Sequence, residues 1–311
     1  MLKQKFIGLL GCCLTMLMAT PAAAETVLER IQRTGTLTAA TRSDSAPFAY
    51  FDETGELVGY SVDLLKLIHQ QLEQELNKDI ELNLVEVTLA NRFSKVENNE
   101  VDIVCSTTTY TSSRARRVDF SVGFFKTGTQ FLVKRDTDRQ DMTEFRVGVI
   151  GGSTNAEVVQ GYLQIARYVV LDSRTDGLEA LNNQRIDALV SDGILLSGLR
   201  QLTGNPEAYE ILPTVPIQPE IYACIVPKEN ADFLQIVNQA LLGFMQDLIN
   251  DAPGATSMFN TWFGTDGAVP IDREPLFDFF QRAIEYYQPQ PATASELEST
   301  TSESQPVIGG D

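Results

Sequence analysis

Short apolar runs alternate with amphipathic stretches along most of this chain. Thr36 to Thr41 is a strand-like run that ends at Arg42. Ser43-Asp44-Ser45-Ala46-Pro47-Phe48 is turn chemistry, with Pro47 favouring extended backbone, and Asp52 to Gly55 makes a second turn before Val58-Gly59-Tyr60. Leu64, Leu65, Ile68, Leu72 and Leu76 recur at spacings of three and four, which predicts an amphipathic helix over Asp63 to Leu76. Ile80, Leu82 and Leu84 alternate with polar residues as a strand does. A polar helix after Asn91-Arg92 leads to Val101, Ile103 and Val104, a short buried strand. Phe120 to Phe125 and Gln130 to Lys134 read as an extended segment leaving this lobe. Strands at Arg146–Ile150, Val169–Leu171 and Ile186–Val190, with a helix over Asp176–Asn183, then form a second, smaller βαβ lobe. Tyr222 to Val226 is a second crossing strand, and Ala231 to Asn250 a helix that rejoins the first lobe. The fold class is α/β.

The polar positions cluster where these strands end. Val101 to Ser121 breaks from apolar residues into Ser106, Thr107, Thr108 and Thr109, then Ser112, Ser113 and Arg114. Hydroxyls beside a guanidinium suit a carboxylate, because Arg offers a planar fork and hydroxyls fill the remaining lone pairs. A plain Ser/Thr loop beside a solvated Arg has the same sequence. Arg42 and Arg92 follow two further strands, and open α/β sheets bind ligands at the carboxyl ends of their strands. Gly151-Gly152-Ser153-Thr154 precedes a helix, and Thr154 with Glu157 has the spacing of a capping box, so a helix N-terminus offers free N–H groups there. No Lys follows, which disfavours a nucleotide loop. Arg174 stands after the Val169–Leu171 strand. Asp192 is either a partner for an ammonium group or an ordinary N-cap for the helix from Ile194.

Composition narrows the setting. Lys3 and Lys5, the apolar stretch Phe6 to Met18 and Ala22-Ala23-Ala24 have the order of an export signal, with cleavage expected after Ala24. Leu9-Leu10-Gly11-Cys12 has the outline of a lipoprotein signal, but the apolar stretch before Cys12 is short for one, so cleavage without lipid attachment is the expectation, and no other run is long enough for a membrane span. The formal charge of −18 becomes −20 once Lys3 and Lys5 are removed, which excludes nucleic acid and anionic membranes as natural partners. Cys105 and Cys224 remain after cleavage, an even pair that an oxidising compartment can bridge; each sits in an apolar strand-like run, and the expectation here is two buried, unbridged thiols, with a disulfide as the alternative. The single histidine, His69, falls within a helical pattern as a surface residue, so neither a zinc site nor a Ser-His-Asp triad is expected. Gln288 to Asp311, rich in Gln, Pro, Ser, Thr and Glu, is expected to be a disordered tail.

These stretches resemble the periplasmic amino-acid-binding proteins of ABC importers, polar amino-acid class, and most of all their glutamate/aspartate-binding members. The likeness rests on Arg42 through Phe48 with Gly59-Tyr60-Ser61, Val87-Thr88 with Asn91-Arg92, Cys105 through Ser121, Gly152 through Val158, Asp192, and Tyr222 through Cys224. It implies a two-lobe fold, each lobe a mixed sheet flanked by helices, joined by two crossing strands. Residues 25–135 and 223–287 would form lobe 1, and 136–222 lobe 2. Closure would hinge near Val133 to Asp136 and Cys224 to Pro227. By the same resemblance Arg114, with Thr109 and the N–H groups around Ser153 and Thr154, would hold the ligand α-carboxylate. Asp192, with Thr107 and Thr109, would take the α-ammonium. Arg42 and Arg92 would meet a side-chain carboxylate, with Arg174 where a His is common in the family and Leu89 where a Ser is expected. The implied ligand is glutamate or aspartate, extending to glutamine or asparagine. The implied partner is an inner-membrane ABC permease served by a periplasmic monomer without cofactor or metal. A ligand-presenting sensor is an alternative. A dehydratase-type enzyme on the same scaffold is a weaker one, because no unmatched Glu or His stands at the strand ends.

Overall fold

The computed structural model describes residues 25–137, 144–162 and 167–287. The expected export signal and polar tail lie outside the described residues.

Helix α1 (Val27–Thr34) opens on a capping box between Thr26 and Glu29 and leads into β1 (Thr36–Thr41). Three short strands, β2 (Asp44–Ser45), β3 (Ala49–Phe51) and β4 (Leu57–Val58), make a separate antiparallel ribbon. Helix α2 (Tyr60–Leu76) starts three residues before the expected start at Asp63. Gly59 permits this entry: at φ +140° it lies so close to the Phe48 carbonyl that a Cβ would sit 2.1 Å from its oxygen. Then follow β5 (Glu81–Glu86), α3 (Arg92–Glu97), β6 (Ile103–Val104), the single turn α4 (Ser112–Ala115) and the long β7 (Asp119–Lys134). The second lobe adds β8 (Arg146–Ile150), α5 (Thr154–Tyr162), β9 (Arg167–Leu171), α6 (Arg174–Asn182), β10 (Ala188–Asp192), α7 (Gly193–Gln201) and β11 (Tyr209–Leu212). The chain returns through β12 (Pro219–Val226) to α8 (Ala231–Ile249), α9 (Pro253–Phe263) and α10 (Glu274–Tyr287).

Among the described residues the strands run in the order β5-β1-β6-β12-β7-β10-β8-β9, with β11 also on β7. β1 pairs in parallel with β5 and β6, and β8 with β9 and β10, so each lobe carries a parallel unit. β7 and β12 join the lobes as an antiparallel pair, from Asp119 opposite Val226 to Gly128 opposite Pro219. From Thr129 onward β7 instead pairs with β10 and β11. The result is the expected α/β fold of two lobes with mixed sheets.

Each lobe buries apolar side chains on both sheet faces, as parallel sheets require. In the first, Phe48, Tyr60, Phe125, Tyr222 and Phe263 interlock beneath α2, α8 and α9, while Val87, Phe93, Val96 and Val104 fill the other face. In the second, Leu132, Leu181, Leu189 and Leu196 pack one face, and Val147, Val149, Val159 and Val190 the other.

The cysteines depart from expectation. Cys105 and Cys224 are joined, with Cα atoms 4.2 Å apart. Val104 of β6 lies opposite Ile225 of β12, so antiparallel register brings the next residues, 105 and 224, face to face. The sequence carries no sign that these two strands are neighbours. His69 is half-buried, donating from Nε2 to the Ile80 carbonyl at 2.6 Å, and ties α2 to the approach of β5.

Candidate functional site

All nine residues singled out in the sequence line one cavity between the lobes. Arg42, Arg92, Thr107, Thr109 and Arg114 come from the first lobe, and Ser153, Thr154, Arg174 and Asp192 from the second; Leu89, Ile150, Asn155 and Ser191 complete the wall. Most follow the carboxyl end of a strand, where loops can present side chains without breaking the sheet. The loop after β6 is held firmly. The disulfide anchors its start, the Ala223 N–H donates to the Thr108 carbonyl at 3.1 Å, and the Tyr110 N–H donates to the Ile221 carbonyl at 2.9 Å.

One end of the cavity is cationic. Arg42 and Arg92 are 4% and 2% exposed, and the Arg174 side chain 11%, so three guanidiniums converge out of water. Arg92 stacks on the Phe93 ring, 4.7 Å from its centroid, and donates to the Leu89 carbonyl. Burial, and then repulsion by Arg42 and Arg114, pulls its pKa down to about 9. Asp44 is the carboxylate at this pole, 2.5 Å from Arg42 Nη2 and 3.7 Å from Arg174 Nη1. Burial pushes its pKa up, but Arg42 and Arg174 outweigh this and hold it below the usual carboxylate range. The Nε atoms of Arg42 and Arg92 are buried with no hydrogen-bond partner among the described residues. Buried donors are almost always satisfied, so this pole has donor capacity in reserve.

The other end is organised by acids. Asp192 accepts from the Tyr222 hydroxyl at 2.5 Å and from the Asn155 amide at 2.9 Å. Glu220, 3% exposed on β12, lies beside it: the Asn155 amide also reaches Glu220 Oε1 at 3.1 Å. Thr129 donates to Oε1 at 3.2 Å, Thr154 to Oε2 at 2.7 Å, and Thr109 to Oε2 as well. Burial, reinforced by Asp192, raises the Glu220 pKa to about 7. Arg114 stands between the poles, donating to the Thr109 carbonyl at 2.9 Å; burial lowers its pKa, against the fields of Glu220, Glu157 and Asp192. Thr107 faces the Ser45 hydroxyl at 3.4 Å.

Two local readings change. The residue that caps α5 is Ser153, whose Oγ accepts from the Ala156 N–H at 3.2 Å. Thr154 is the first helical residue and spends its hydroxyl on Glu220, so the Thr154–Glu157 capping box does not form. Asp192 occupies the N-cap position of α7 but makes no capping hydrogen bond, because Tyr222 and Asn155 hold its carboxylate toward the cleft.

The residues that sequence reading missed are Asp44, Asn155 and Glu220. Glu220 had a signal: it stands two residues before Tyr222 and four before Cys224, on one face of a strand. Placing the strand start at Tyr222 hid it. Leu89, standing for the expected Ser, packs across the cleft on the core of the second lobe.

Comparison with known proteins places this geometry. The family described as bacterial extracellular solute-binding proteins, family 3, matches residues 37–265. A glutamate/aspartate import solute-binding protein of Escherichia coli (strain K12) is 28% identical, over 79% of this chain and 82% of that one. An L-glutamate/L-aspartate-binding protein of Pseudomonas aeruginosa is 30% identical, over 72% and 78%. Among solved structures, an ancestral arginine-binding protein bound to arginine superposes with a TM-score of 0.63 and 26% identity, covering 74% of this chain and 99% of that one.

Proposed function

The chain belongs to the bacterial extracellular solute-binding proteins, family 3, and from that premise we propose that it captures an acidic amino acid between its lobes and delivers it to an ABC permease. Charge balance carries the reading. Arg42, Arg92, Arg114 and Arg174 line the cavity, against Asp192 in its wall, Asp44 behind the cationic pole and Glu220 beneath. Guanidiniums outnumber the carboxylates of the cavity wall, which leaves positive charge at the pole for the side-chain carboxylate of glutamate or aspartate to offset. A neutral amino acid leaves that charge uncompensated out of water, and a cationic one adds to it.

The ligand lies with its ammonium at Asp192, its α-carboxylate at Arg114 and the N–H groups at the start of α5, and its side-chain carboxylate among Arg42, Arg92 and Arg174. The unpartnered Nε atoms of Arg42 and Arg92 are the donors it takes up. Export to the periplasm through a cleaved signal over 1–24 fits the disulfide, since such bonds persist in oxidising compartments. The relatives cited are named for binding, and this chain is read likewise as a binding protein that acts without a cofactor. Equilibrium dialysis of the mature chain with labelled L-glutamate tests the reading. Saturable binding of one ligand per chain, displaced by aspartate and not by arginine, is expected. Absence of saturable binding contradicts it.

A further inference from the structure

Glu220 lies beneath the cavity wall, and the wall hydroxyls bond to it from both lobes: Thr109 from the loop after β6 and Thr154 from the start of α5. We propose that Glu220 is a positioning residue for the ligand ammonium: by taking the hydroxyl protons of Thr109 and Thr154, its carboxylate turns both oxygens toward the cleft as acceptors. The inference rests on the amino-acid-binding reading above and assigns a role that the arginine cluster does not.

A threonine hydroxyl has one proton and two lone pairs. Once the proton is committed to Glu220, the oxygen can only accept, which suits an ammonium and opposes a carboxylate. Thr109 could by sequence have served either ligand group; the bond to Glu220 assigns it to the ammonium. The arrangement also spans the lobes. Oε2 collects one hydroxyl from each, so acceptors for the ammonium are aligned only when the cleft is closed. Oε1 is filled by Thr129 and Asn155, and the same Asn155 amide holds Asp192. All four contacts on Glu220 come from donors, so the ionised form fits its surroundings and a protonated form must turn a hydroxyl around.

Two buried carboxylates sharing one amide repel, and a cation arriving between them relieves that repulsion. Burial first, and then this repulsion by Asp192, raises the Glu220 pKa to about 7, so in the ligand-free protein it carries a proton for part of the time near neutral pH. When an ammonium enters, the Glu220 carboxyl becomes a carboxylate and its proton passes to buffer. The charged or titratable groups that act on Glu220 are Asp192 from β10, Arg114 from α4 and Tyr222 from its own strand. The Tyr222 pKa is raised far above neutrality by burial, and Arg92, at about 9, lies outside the window. His69, the single histidine, is on α2 and bonded to Ile80.

The test is calorimetric titration of L-glutamate into the mature protein at pH 6.5 and 8.5, in buffers of different ionisation enthalpy. Release of a fraction of a proton at pH 6.5, fading at pH 8.5, is expected from the wild type. Loss of charged hydrogen bonds in E220Q should weaken binding about tenfold and abolish the release, while H69Q should behave as wild type. Glutamate binding by the wild type without proton release overturns this role of Glu220 alone. Release that persists in E220Q overturns it too. Failure of the wild type to bind any acidic amino acid instead overturns the reading on which it rests.

Discussion

Arg174 Nη1 lies 2.8 Å from the main-chain oxygen of Asp44, so a side chain of the second lobe ends on the loop that follows β1 of the first. Its Nε is held by the Ser191 hydroxyl at 3.0 Å, which fixes the arginine at the start of α6. The cationic pole is thus completed only when the lobes meet. Closure also needs Gly198 of α7, where a Cβ would sit 2.4 Å from the Ala46 carbonyl oxygen.

Replacing that arginine removes the one guanidinium that the second lobe contributes to the pole among the described residues. R174Q is expected to weaken glutamate binding about 10- to 100-fold, the scale of a lost hydrogen bond to a charged group. Its effect on the ligand-free unfolding curve should be small. Titration and thermal melting of the same preparation separate the two. Unchanged affinity would show that Arg42 and Arg92 suffice.

Arg92 should trade stability for function. Its guanidinium is buried, repelled by its neighbours and unpartnered at Nε. R92M keeps the apolar contact with Phe93 and removes the charge, so the ligand-free protein should be as stable as wild type or ~1 kcal/mol more stable. The rise in melting temperature that glutamate gives the wild type should vanish. A clear loss of ligand-free stability would mean that Arg92 is structural.

The Cys105–Cys224 bond closes a large loop, with 119 residues of sequence separation. Reduction, or the C105S/C224S pair, should cost about 2–5 kcal/mol in a denaturant titration. Because the bond anchors the loop carrying Thr107 and Thr109, glutamate affinity should fall as well. Superimposable oxidised and reduced unfolding curves would contradict this.

Glu220 gives the ligand-free protein a stability that depends on pH with a definite sign. Its pKa rises from an ordinary 4.5 to about 7 on folding, chiefly through burial. Between those values the native state holds a proton that the unfolded chain has released, so this group's contribution falls as pH increases from 4.5 to 7. Asp44 and Asp187, held below their usual range by arginines once burial is outweighed or minor, act oppositely but in a more acidic window. E220Q should therefore be less sensitive than wild type to a change from pH 5.5 to 7.5. Equal slopes in urea titrations would contradict the shift.

Much of this was legible in the sequence because it depends on local pattern. The strand β1 and its Arg42, the helix α2, and β8 with its following glycines can be read from alternation, periodicity and turn residues. The nine site residues came together because strand ends share one side of a sheet. What was hidden depends on strand order. Val104 opposite Ile225 decides the disulfide, and β12 beneath the cleft decides the role of Glu220. The Ser153 cap was misplaced by one residue because two adjacent hydroxyls satisfy the same pattern, and only the third partner, Glu220, separates them. Helix α9 opens on Pro253 and α10 on Glu274-Pro275, and the sequence reading passed over both, although α10 carries Leu276, Phe280 and Ile284 at four-residue spacing. Their Phe259, Phe263 and Phe280 are nonetheless fully buried in the first lobe.

The central claim is that net charge in the cleft selects the ligand. Isothermal titration of the mature protein with glutamate, aspartate, glutamine and arginine tests it most directly. Tight binding of glutamate or aspartate is expected, with glutamine weaker by about 100-fold, since its amide leaves a buried guanidinium uncompensated, and with no response to arginine. Arginine binding, or glutamine binding as tight as glutamate, would contradict the account.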